Sequence, residues 1–134
     1  GRATRFCAAE PWRRCCARRS LARMTAIDSY HAHVYFDART RDAAWGLRDR
    51  VAAAFPQAQI GRFHERPVGP HPRWSFQIAF GPEAFDQVVP WLMLHRAGLT
   101  VFLHPNTGDA LGDHADRAVW MGELLPLDLD ALRS

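Results

Sequence analysis

Residues 30–36 alternate, with His31, His33 and Tyr35 on one face and Ala32, Val34 and Phe36 on the other. This two-residue period is that of a half-buried strand. The period then changes. Ala44, Leu47, Val51 and Phe55 recur at helical spacing through residues 40–55, and Pro56 stops the helix. Residues 59–66 predict a second strand, with Phe63 on one face and Arg62 and His64 on the other. The stretch "RPVGPHPR" follows, a loop stiffened by three prolines. Residues 73–80 predict a third strand with Trp74, Phe76 and Ile78 on one face. Gly81-Pro82-Glu83 opens a second helix, with proline in its first turn and an acid that complements the dipole. Phe85, Val88, Val89 and Leu92 form its apolar stripe, Pro90 is expected to kink it, and Gly98 ends it. Residues 99–104 predict a fourth strand, and residues 118–125 a short fifth.

The order β-α-β-β-α-β is the split-βαβ pattern. It predicts an α+β, ferredoxin-like fold in which two helices cover one face of a four-stranded antiparallel sheet. The other face is left open. An open face that carries aromatics predicts a homodimer, because monomers rarely expose such a patch. No repeat or low-complexity segment divides the chain, so residues 24–134 are read as one domain.

Charge changes the picture only at the N-terminus. The chain has 134 residues and a net charge of +3, but residues 1–23 hold seven arginines and one acid, a local +6. The rest is net −3, so a nucleic-acid function would rest on that segment alone, and none is expected. All three cysteines (Cys7, Cys15 and Cys16) lie there too, without metal or CxxC spacing. Residues 1–23 are read as a disordered or non-native extension before Met24. The body then lacks cysteine, which fits a reducing cytoplasm. No stretch approaches the roughly 20 apolar residues of a membrane span, so no membrane partner is expected.

Candidate chemistry lies in the histidines. If Ala32, Val34 and Phe36 face the helices, then His31, His33 and His104 share the open face, and His64 joins them if Phe63 points inward. The first and fourth strands are neighbours in this fold, so His33 and His104 are expected at cross-strand distance, about 5 Å between Cβ atoms. His31 and His33 are about 7 Å apart along the strand, which favours one as a ligand and the other as an assistant. A lone strand histidine is ordinarily a hydrogen-bonded structural residue. His95 reads as a solvated residue at a helix C-terminus, and His114 as a loop residue stabilised by Asp113 and Asp116. Convergence of several on one face is what points to a metal or acid–base site.

Three segments, "YHAHVYFD", "RPVGPHPRWSFQIAF" and "HPNTGDALGDHADRAVWMG", carry a family likeness. Through them residues 28–128 resemble the DOPA 4,5-dioxygenase family. The resemblance implies extradiol cleavage of a catechol such as L-DOPA: both atoms of O₂ enter and the ring opens beside the hydroxyls. It implies non-haem Fe(II), which has open positions for catecholate and O₂. The family's histidines match His33, His71 and His104 as metal ligands. The usual carboxylate ligand has no obvious match here, with Glu65, Asp109 and Asp113 as the candidates. His31 or His64 then fits the general acid–base, and Arg62, Arg66 or Arg73 a clamp for a substrate carboxylate. The same arginines read equally well as solvated strand-edge residues. Trp74, Phe76 and Trp120 read as core or interface, and Asn106-Thr107-Gly108 as a turn. The alternatives are a non-catalytic ferredoxin-like dimeric binding module and a metal-dependent enzyme of other chemistry on an aromatic acid.

Overall fold

The computed structural model describes residues 27–133. The segment 1–23 read as an extension lies outside them. β1 (Ser29–Phe36) is the central strand, and its alternation sends Ala32, Val34 and Phe36 into the main core. Before α1 (Arg41–Ala54), the Asp37 carboxylate accepts from the amides of Arg39 (2.9 Å) and Thr40 (3.1 Å), which turns the chain into the helix. Ala44, Leu47 and Val51 are the buried stripe of α1, as the spacing requires.

β2 is only Gln59–Ile60, shorter than the strand expected over residues 59–66. Pairing stops at Gly61, where a Cβ would come within 3.3 Å of the Gln77 Cβ, and resumes as a single bridge between His64 and Ser75. The proline loop then carries the chain away from the sheet. β3 (Trp74–Phe80) buries Phe76 and Ile78. One turn of 3₁₀ helix (Pro82–Ala84) leads into α2 (Phe85–His95), which runs through Pro90 and buries Val88, Val89 and Leu92. Gly98, at φ 74°, makes the turn into β4 (Thr100–Asn106). A short helix, α3 (Ala110–His114), β5 (Val119–Met121) and a turn of 3₁₀ helix (Leu129–Leu132) complete the regular elements of the described residues. Residues 110–114 are therefore helical where a loop was expected. Asp109 caps them by accepting from the Gly112 amide at 3.2 Å.

The sheet order is β2-β3-β1-β4-β5, with every pair antiparallel. Its first four strands have the ferredoxin-like arrangement, and β5 extends the β4 edge. No helix among the described residues is long and apolar enough to cross a membrane.

The face away from α1 and α2 is not fully open. Over β1 and β4 a second small core of Tyr35, Phe102 and Leu125 is packed by Ala118, Trp120 and Leu127. The C-terminal segment is tied to the proline loop by the Asp128 amide, which donates to the Pro70 carbonyl at 2.9 Å. Leu125 and Leu127, after β5, thus cover part of the face from which a homodimer is expected. The β3–β2 half of this face, with Gln77, Ala79 and Gln59, remains accessible.

Candidate metal centre

β1 places His31 and His33 on the partly covered face, and β4 adds His104. The register sets His104 opposite His31, while His33 faces Phe102. The expected His33–His104 approach is therefore diagonal, but it is close: the two Nε2 atoms are 3.0 Å apart. One nitrogen from each of His31, His33 and His104 can be chosen so that all three lie within 4.8 Å of one another. The two strand neighbours thus meet in one site, because the diagonal reach of His104 draws the rings together.

The donor set suits a metal. His104 Nδ1 lies 2.9 Å from the Pro105 carbonyl, which can only accept, so Nδ1 carries the proton and Nε2 a lone pair. With no cation bound, His33 Nε2–H donates to that lone pair at 3.0 Å; a cation would take the place of the shared proton, with His33 protonated on Nδ1 instead. The backbone carbonyl that holds His104 is the usual outer partner of a ligating histidine. Electrostatics agree. Burial, then repulsion from His71 and His104, pushes His33 well below the ordinary imidazole value. Burial lowers His104 to about 4, against a smaller opposing pull from the Pro105 carbonyl. Burial followed by His114 lowers His31. All three rings are held neutral, the form that binds a cation.

His71 falls outside this group. The proline loop brings its ring within 4.2 Å of the His33 ring, centroid to centroid. Its Nδ1 is 2.6 Å from the Tyr35 hydroxyl, whose ionisation burial pushes upward, so that the phenol remains a donor. Burial, with His114 and His64 as further causes, lowers His71 to about 4. If the phenol donates, Nδ1 accepts and the neutral ring carries its proton on Nε2; if it accepts, Nε2 holds the lone pair of a ligand.

His114, expected in a loop, lies 3.9 Å from the His104 ring, centroid to centroid. Its Nδ1 donates to the Ala110 carbonyl at 2.7 Å, which leaves the Nε2 lone pair. The helix beneath it is clamped at Asp113, which is 2% exposed. That carboxylate accepts from the Thr107 amide (2.8 Å), the Thr107 hydroxyl (2.8 Å) and Arg117 Nη1 (2.9 Å). Burial works to raise the Asp113 pKa, but these donors outweigh it and hold the group below the usual carboxylate range. Sequence reading missed both His114 and the clamp. The available signal was Asp109, three residues before Gly112, a capping residue at the start of a short helix.

The three candidate carboxylate ligands are engaged elsewhere. Glu65 pairs with Arg41 at 2.7 Å, Asp109 caps α3, and Asp113 is the clamp. His64 is half-buried, and its backbone bridges Ser75, towards the β3 side of the cluster. Arg62 and Arg66 are exposed. Arg73 pairs with Glu123 at 2.9 Å. Beside His31, on the accessible half of the face, opens a cleft of about 290 Å³ that none of these arginines lines.

A histidine cluster that reaches a small cleft through His31 narrows the possible families, and comparison with known proteins decides among them. The profile of the Dopa 4,5-dioxygenase family matches residues 30–131. The chain belongs to that family. It is 36% identical over 111 residues to the DOPA 4,5-dioxygenase of Amanita muscaria, covering 77% of this chain and 49% of that protein. It is 39% identical over 116 residues to an uncharacterised 21.2 kDa protein of Botryotinia fuckeliana, covering 78% of this chain and 63% of that one. The chain thus spans about half to two thirds of the length of these curated relatives. A crystal structure described as a "putative dioxygenase" from Nostoc punctiforme superposes with a TM-score of 0.80 at 49% identity, over 83% of this chain and 96% of that one. Within the Dopa 4,5-dioxygenase family the resemblance noted at residues 28–128 is thus borne out, and so is the ferredoxin-like fold.

Proposed function

We propose that the chain is an extradiol ring-cleaving dioxygenase that inserts O₂ into a catechol such as L-DOPA, in the cytoplasm, with Fe(II) held by His31, His33 and His104. The observation that carries this reading is the convergence of three neutral imidazoles, without a carboxylate, one of which, His31, lines a cleft. The family, the Amanita muscaria relative and the Nostoc punctiforme structure are dioxygenases by description. Imidazole nitrogen suits iron, among other metals, and only a redox-active one serves O₂ chemistry. When bound, the ion would gather catecholate and O₂ and take part in one-electron transfer between them.

The protein's own part is to bind, orient and move protons. Pro105 fixes the His104 tautomer, so Nε2 points at the site. The flanking imidazoles have opposite polarity. His114, with Nδ1 bonded to Ala110, offers Nε2 as the base that takes a proton from a catechol hydroxyl. His71, with Nδ1 bonded to Tyr35, offers Nε2–H as the acid that returns a proton to the ring-opened product. This assigns the acid–base work to His114 and His71 rather than to His31 or His64, and it moves His31 into the ligand set. The second core of Tyr35, Phe102 and Leu125 keeps water from the covered side. The overall reaction balances: catechol and O₂ give one muconic semialdehyde, with both oxygen atoms retained.

The experiment is anaerobic Fe(II) reconstitution of the native chain and of His31→Ala, His33→Ala, His71→Ala, His104→Ala and His114→Ala, followed by L-DOPA in air. Metal content and O₂ uptake are measured on the same preparations. The three ligand variants should lose tightly bound iron and turnover. His114→Ala should keep iron and lose about 10²–10⁴-fold in rate. Iron retained by His31→Ala but lost by His71→Ala would restore the other ligand set. No turnover by an iron-loaded native chain would leave a binding module.

A further inference from the structure

We infer that the cleft beside His31 is the subsite for the substituent of the catechol, and that it selects tails without net negative charge, with Gln59 and Gln57 as the specificity-determining residues. The inference rests on the ring-cleavage reading above, because it takes the His31 end of the cleft as the place where the catechol ring enters.

Among the described residues the cleft is bounded by Ser29, His31, Gln57, Gln59, Ala79 and Gly81, together with Phe80. The register explains this set. His31 pairs with Ala79 on β3, which pairs in turn with Gln59 on β2, so these three lie in one row across the sheet. Ala79 and Gly81 are small and leave a shallow floor. Ser29, Gln57 and Gln59 supply a hydroxyl and two amides, which both donate and accept. No arginine lines the cleft among the described residues, and an acid stands behind Gly81, where it lines the neighbouring cavity. The Glu83 carboxyl carbon lies 2.7 Å from where a Cβ on Gly81 would sit.

A carboxylate tail entering this space would lose water without meeting a cation. A tail that is neutral, or whose charges cancel, finds partners for its donors and acceptors in the two glutamines. The expected discrimination is the factor that a charge-assisted hydrogen bond supplies and this cleft withholds, about 10- to 100-fold.

Two near-isosteric probes test this: 4-(2-hydroxyethyl)catechol, which is neutral, and 3,4-dihydroxyphenylacetate, an anion. Affinities are measured calorimetrically on the full chain loaded with redox-inert Zn(II), and O₂ uptake on the same chain loaded with Fe(II). The neutral catechol should bind at least about tenfold more tightly than the anion. Gln59→Arg should close or invert that gap, and Gln57→Arg provides a second variant on the loop should the strand variant fold poorly. Equal or reversed affinities in the native chain, binding of neither probe, or an unchanged gap in both folded variants would overturn the subsite. The predicted affinity order without any O₂ uptake would sink the ring-cleavage reading and leave the subsite standing. O₂ uptake that favours the anion would do the reverse.

Discussion

Acid should unfold the metal-free protein through its buried histidines before its carboxylates titrate. His71 and His104 are held near pKa 4 in the folded chain, chiefly by burial, and they are 9% and 1% exposed. In the unfolded chain both titrate near 6.5. Above pH 6.5 neither state takes up the protons, and the full stability is present. As the pH falls from 6.5 towards 4, the unfolded chain binds protons that the folded chain refuses, so stability is lost. At pH 5 each histidine would cost about 2 kcal/mol. The two share His114 as a neighbour, so relief at one site relieves the other, and a joint loss of about 3 kcal/mol is expected rather than the full sum. That is a large share of the roughly 5–15 kcal/mol that holds a domain together. The assay is urea denaturation of chelator-treated protein at pH 7.5, 6 and 5. With an m-value of about 1.5 kcal/mol/M, the midpoint should fall by about 2 M across that range. Asp113, held below the usual carboxylate value, loses its contribution only at lower pH, so the two windows separate. His71→Gln should remove about half of the drop. Midpoints that agree at pH 7.5 and 5 would refute the reasoning, since the rings would then be accepting protons in the folded state.

Two further changes follow from the same contacts. Asp113→Ala removes the acceptor of three hydrogen bonds and leaves the Thr107 amide without a partner, so it should cost about 3 kcal/mol in denaturant titrations; a loss under about 0.5 kcal/mol would show that the clamp is idle. Arg73→Ala breaks only a half-exposed pair with Glu123, so it should cost less than about 1 kcal/mol and leave the KM for L-DOPA unchanged; a KM raised tenfold would return Arg73 to the substrate.

The sequence carried the fold because each main element has one dominant period. Alternation in β1 and β3 and the stripe through Ala44, Leu47 and Val51 are patterns that packing then used as written. The site was legible in its composition but not in its pairing. Parity placed His31, His33 and His104 on one face, yet the sharing of a ligand set depends on register, which runs His31 against His104. Alternation says nothing about that offset. His71 was visible only as a histidine in a stiff loop. Its link to Tyr35 spans 36 residues, and no local spacing encodes such a contact. Arg62, Arg66 and Arg73 were placed by sign of charge alone, and solvent or Glu123 claims them. His114 was hidden because five residues are too few for a hydrophobic period to develop.

The partial cover over the histidine face explains how one sheet can serve both as core and as site. On the β4 side, Phe102 and Tyr35 take apolar partners from the C-terminal segment, which desolvates His33 and His104 and keeps them neutral. On the β3 side the facing residues are Gln77, Ala79 and Gln59, too polar or too small to attract such a cover. A site buried on every side could hold a metal but admit no ring, and one exposed on every side would leave its imidazoles free to protonate. His31, which is only half-buried and borders the cleft, stands on the line between the two halves. In the reaction proposed above, a ring entering from the glutamine side would meet His31 first, with His33 and His104 behind it, and His114 and His71 would serve the two proton transfers.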